Sequence, residues 1–90
     1  MAGLSTTRAE VRLAVRDKTG RPVAEASLSV VASSVPFPEI AFLTDETGVV
    51  QVFLPAGEFT FRAHGSDGVE GTARVISDGS SPIRAEIIVR

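Results

Sequence analysis

The richest chemistry in this 90-residue chain stands in one short stretch, His64-Gly65-Ser66-Asp67-Gly68. Histidine alone titrates near neutrality in an ordinary environment, and His64 is the single histidine. With Ser66 as nucleophile and Asp67 as orienting acid, the set has the composition of a hydrolytic triad. A triad is a geometry, though: a base against the nucleophile, a third group holding the base, and separate donors for the oxyanion. Three polar residues flanked by glycines are also what an exposed turn contains. The turn reading is preferred, so no catalytic residue is assigned and no enzyme activity is expected.

Metal chemistry would fall to Asp17, Asp45, Asp67 and Asp78, all in turn-like segments. Calcium needs several oxygens converging on one point, commonly from alternate positions of one loop. None of these segments has that spacing, and an Asp bonding its own backbone explains all four. Calcium is therefore disfavoured, although carboxylates from different loops could meet at one end of the molecule. There is no Cys, so neither a disulfide framework nor a Cys-based zinc site is available. No phosphate loop or nucleophile elbow is present. Sugar sites stack rings on Trp or Tyr, and both are absent. No metal and no cofactor is expected.

Composition sets the frame for these side chains. At 43% hydrophobic and 22% charged, the chain is globular rather than disordered. Eleven acids against 9 bases give a net charge of -2 with no block of like charge, which argues against nucleic acid as a partner. No apolar run is long enough for a membrane span. Residues 1–8 are polar and unpatterned and are expected to form a flexible arm ahead of one domain over 9–90. The arm lacks the basic start and apolar core of a secretory signal. A cytoplasmic or particle-associated location is favoured, with a removed signal as the alternative.

The elements follow from alternation and punctuation. Val11, Leu13 and Val15 alternate with Arg12, Ala14 and Arg16, as in a half-buried strand. Asp17-Lys18-Thr19-Gly20 turns, and Pro22 opens a second strand whose Ala26, Leu28 and Val30 face inward. Pro36-Phe37-Pro38 breaks the pattern, and Ile40–Leu43 is a short apolar strand ended by Thr44–Gly48. Val50, Val52 and Leu54 form the next inward row, then Phe59, Phe61 and Ala63 after Pro55-Ala56-Gly57. Val69–Ile76 and the closing Ile83, Ala85, Ile87 and Val89 complete the set. Seven closely spaced strands without a helix predict an all-β protein, a seven-stranded Greek-key β-sandwich.

The turns and core positions share one frame: Val15-x-Asp17-x-x-Gly20-x-Pro22-Val23, Glu25-Ala26-x-Leu28, Thr44-Asp45-Glu46-Thr47-Gly48 and Leu54-Pro55-x-Gly57-x-Phe59-x-Phe61. This frame, over residues 11 to about 75, resembles the carboxypeptidase regulatory-like family of the transthyretin-like (prealbumin-like, Ig-like) β-sandwiches. The resemblance implies a sandwich used as an accessory, structural or binding module; fold analogy carries no more. Two neighbouring families do carry chemistry. Pilin-like sandwiches form a Lys–Asn or Lys–Asp isopeptide bond beside a buried Glu. Here Ala14 and Val15 stand where that Lys would sit, the only Lys is Lys18 in a turn, and Asn is absent. Arg62 and His64 replace the acid on the strand after Leu54-Pro55. Hydroxyisourate hydrolases use His and Arg residues near a Tyr-Arg-Gly-Ser terminus, whereas this chain has no Tyr and ends Ile87-Ile88-Val89-Arg90. Both chemistries are rejected.

The outward positions carry the remaining signal. In the phase above, Val31, Phe53, Ile76 and Ile88 point away from the core. Scattered exposed apolar residues are ordinary, but the two isoleucines share strands with Arg74, Arg84, Glu86 and Arg90. An apolar centre with an arginine rim is the composition of a protein interface. Phe37, clamped between Pro36 and Pro38, is either a further anchor or a lid on one end of the core. Val31, Phe37, Phe53, Arg74, Ile76, Arg84 and Ile88 are therefore the interface candidates. The expected function is a non-catalytic module for protein–protein interaction, self-association or structural assembly, such as an accessory subunit of a larger particle. The alternative is an extracellular ligand- or carbohydrate-binding accessory domain of an enzyme or receptor.

Overall fold

A computed structural model describes residues 7–90; residues 1–6, most of the expected arm, lie outside the described residues. The strands are β1 (Ala9–Asp17), β2 (Ser27–Ser33), β3 (Ala41–Leu43), β4 (Val49–Leu54), β5 (Gly57–His64), β6 (Glu70–Ser77) and β7 (Ile83–Val89). They form two sheets in the orders β4-β1-β7 and β3-β2-β5-β6. All pairs are antiparallel except β1 and β7, which run parallel from Val11↔Ile83 to Asp17↔Val89. The protein is all-β, as the alternation predicts.

The core lies between the sheets and is built from their alternate residues. Val11, Leu13, Val15, Val52, Leu54, Ile87 and Val89 come from one sheet, and Leu28, Phe59, Phe61, Ala63 and Val75 from the other. Period-2 alternation puts each set on one face because successive side chains of a strand point to opposite sides. Burying these side chains is the main source of stability in a chain without disulfides.

The second strand differs from its expected extent. Pro22 makes only an isolated bridge to Arg16, and β2 begins at Ser27. Between them Val23 N–H bonds the Val15 carbonyl, and Glu25 turns through a left-handed φ of 57°. Thr44 holds this crossover in place. Its buried hydroxyl accepts from Ala26 N–H at 2.8 Å and donates to the Val23 carbonyl at 2.7 Å. Gly48, at φ 76°, packs into the same junction, where any Cβ would come within 2.9 Å of the Val15 carbonyl and the Val23 nitrogen.

The sheets also touch along one corner. Glu70 and Arg90 exchange backbone hydrogen bonds at 3.4 and 3.1 Å, joining β6 to β7. Gly71 sits inside that corner with its α-carbon against the Ile88 carbonyl.

Candidate functional site

The outer face of β3-β2-β5-β6 carries the two most exposed large apolar residues, Ile76 at 67% and Leu43 at 64%. The register aligns Leu43-Ser27-His64-Glu70, then Ala41-Ser29-Arg62-Thr72, then Ala32-Thr60-Arg74, then Glu58-Ile76. Val31 is the extra residue of a bulge between Val30 and Ala32 and is also exposed on this sheet. A bulge sets two neighbouring residues against one on the partner strand. Between and around the three apolar residues this face alternates small side chains (Ser27, Ser29, Ala32, Thr60, Thr72) with charged or polar ones (Glu58, Arg62, His64, Glu70, Arg74). Ion pairs stand at two places on it, Arg74 to Glu58 at 2.6 Å and Arg62 to Glu70 at 3.8 Å, and the His64 ring lies 3.9 Å from the same Glu70 carboxylate.

The outer face of β4-β1-β7 is different in character. Phe53 lies opposite Glu10, Gln51 opposite Arg12, and Arg12 opposite Arg84. Gln51 Nε2 donates to Glu10, and Arg16 bonds Glu86 at 2.7 Å. Beside Arg12 and Arg84 is an open, shallow depression of about 240 Å³.

The structure divides the candidates that the sequence grouped. Val31, Arg74 and Ile76 belong to one face, whereas Phe53, Arg84 and Ile88 belong to the other. Ile76 and Ile88 therefore share no patch. The physical reason is that β6 and β7 are edges of different sheets, whose outer faces point in opposite directions. Ile88 is only half-exposed and lies opposite Arg16 in the parallel register. Phe37 folds back as the lid: it is half-buried, and its ring meets Phe59 edge-on at 5.4 Å. Leu43 and Ile40, exposed by 64% and 48%, were not singled out by the sequence pattern. Their signal was the three-residue edge strand itself, which leaves one flank of β3 open.

Three of the four turn acids, Asp17, Asp45 and Asp78, are committed to their own backbones, whereas Asp67, expected to do the same, makes no such bond among the described residues. Asp17 Oδ1 accepts from Thr19 N–H, Thr19 Oγ1 and Arg21 N–H at 2.6 to 3.1 Å. Asp45 repeats the pattern with Thr47 and Val49, so Asp-x-Thr-Gly occurs twice as the same folded turn. The threonine hydroxyl, with the backbone N–H groups, holds each carboxyl below its usual range. Asp78 is held down to about 2 by the backbone N–H groups of Ser81 and Ser80 and by the Ser81 hydroxyl. Among the described residues no three His, Asp or Glu side chains group as metal ligands. His64 faces Glu70 across β5 and β6, and Asp67 occupies a left-handed position in an exposed 3-10 turn. No hydrogen bond links His64 to Ser66 or Asp67 among the described residues. No helix among the described residues is long and apolar enough to cross a membrane.

No protein-family model matches the chain, and no curated protein matches it.

Proposed function

We propose that this chain is a non-catalytic, transthyretin-like Greek-key β-sandwich that works through protein–protein contact, as an accessory subunit of a larger assembly. The strand order β4-β1-β7 facing β3-β2-β5-β6 supports the fold assignment. One observation carries the function: Leu43, Val31 and Ile76 stand exposed on one sheet, whose outer face otherwise carries Ser, Ala and Thr interleaved with charged side chains that include Arg62 and Arg74. Exposed apolar side chains with arginines beside them are a composition found at interfaces. The committed turn carboxylates and the separation of His64 from Ser66 and Asp67 support a role without chemistry.

The test is capture of the partner from the native cell with the wild-type protein and with Leu43→Ser and Ile76→Ser together. The double variant is expected to lose the partner while its stability stays within about 1 kcal/mol, as for surface substitutions. Retention of the same partner by the double variant would remove this face from the proposal.

A further inference from the structure

The two sheets have unequal edges. β3 is only three residues long and is approached through Pro36 and Pro38. β6 and β7 are joined to each other at Glu70 and Arg90. Along their lengths β6 and β7 also carry charges, at Glu70, Arg74, Arg84 and Glu86, whereas the fourth edge, β4 (Val49-Val50-Gln51-Val52-Phe53-Leu54), has no charge, Pro, Gly or bulge. Natural edges are normally blunted by such devices, and this one is not.

The backbone of β4 also specifies what fits there. The Gly48 carbonyl accepts from Val15 N–H at 2.7 Å, so residue 48 points its backbone groups at β1. By alternation Val50, Val52 and Leu54 do the same, and Val49, Gln51 and Phe53 point theirs at the open edge. Val49 is already occupied: its N–H donates to Asp45 Oδ1 at 3.1 Å and its carbonyl accepts from Asp45 N–H at 2.9 Å. Pro55 has no N–H to offer. Among the described residues, only Gln51 and Phe53 of β4 present backbone donors and acceptors without a partner at this edge.

We infer that the β4 edge pairs antiparallel with β4 of a second copy of this chain, about a two-fold axis passing between the two Val52 residues. In that register Gln51 of each copy lies opposite Phe53 of the other. All the free backbone groups of both residues are then used, since each such pair exchanges two hydrogen bonds. The same register keeps outward residues beside outward ones, so Phe53, exposed by 52%, gains a cross-strand neighbour. With no charge on the strand, identical copies meet without repulsion. The Gln51 side chain leans to Glu10, away from the edge, and leaves it open. The result is a continuous sheet in the order β7-β1-β4-β4-β1-β7. This contact goes beyond the partner face of the other sheet and is independent of it.

The experiment is solution mass by sedimentation over a wide concentration range for wild type, Phe53→Lys, Gln51→Pro, and Leu43→Ser with Ile76→Ser. Wild type and the last variant are expected to rise from one chain to two. Phe53→Lys and Gln51→Pro are expected to remain single chains with unchanged circular dichroism. Phe53→Lys keeps the test valid should Gln51→Pro fail to fold. Register is read by oxidising a mixture of Gln51→Cys and Phe53→Cys proteins, because the native chain has no thiol. The mixed cross-link should form several-fold more readily than either self cross-link. A single-chain mass at every concentration, a dimer indifferent to Phe53→Lys, or equal cross-link yields would each overturn the inference.

Discussion

Gly71 lies directly against the carbonyl of Ile88, at the corner where β6 meets β7, and a Cβ added to it would overlap that carbonyl. The contact joins the two sheets next to the Glu70–Arg90 backbone pair. Its need for glycine is one of close approach, since Gly71 has no left-handed φ. Gly71→Ala should therefore force the corner apart and lower stability by about 3 kcal/mol, the upper end of overpacking costs. Urea unfolding of the variant measures this, and an unchanged midpoint would contradict it.

Thr44 is the second sensitive position. Its hydroxyl satisfies Ala26 N–H and the Val23 carbonyl at a buried site. Thr44→Val keeps the shape but leaves two polar groups without a partner, at about 1–3 kcal/mol for each. Thr44→Ser retains the hydroxyl and should lose much less. The ordering of the two thermal midpoints is the check, and equal losses would show that packing alone matters.

Acid should act through the turns. Asp17, Asp45 and Asp78 have carboxyls lowered in the folded chain, Asp78 to about 2, while the unfolded value is about 3.9. A depressed folded pKa means that the unfolded chain binds protons first. The stabilisation is thus whole above about pH 4 and drains away as pH falls toward about 2. Asp78→Asn should flatten the fall of the thermal midpoint across that window without altering its value trend above pH 5. A slope identical to wild type would show that Asp78 does not link protons to folding.

Much of the fold was written in single strands. The alternation of Val11, Leu13 and Val15, and of Phe59, Phe61 and Ala63, identifies buried faces without reference to any partner. The Asp-x-Thr-Gly turns were equally plain, because their hydrogen bonds are local. What alternation cannot state is which sheet a strand joins. Ile76 and Ile88 both read as outward, and only long-range pairing sends them to opposite faces. The same holds for Gly71, whose importance depends on Ile88 on another strand. Leu43 was obscured for a different reason: in a three-residue strand there is no period to read.

The parallel ladder between β1 and β7 has a mechanical meaning. The chain enters the sandwich through β1 and leaves it through β7, and both strands run the same way. A pull on the two flanks, at Ala9 and Val89, therefore loads the ladder lengthwise, in shear. The bridges from Val11↔Ile83 to Asp17↔Val89 must then give way together rather than peel one by one. A module tethered at both flanks would bear tension as a rivet does, through the strands at its two ends.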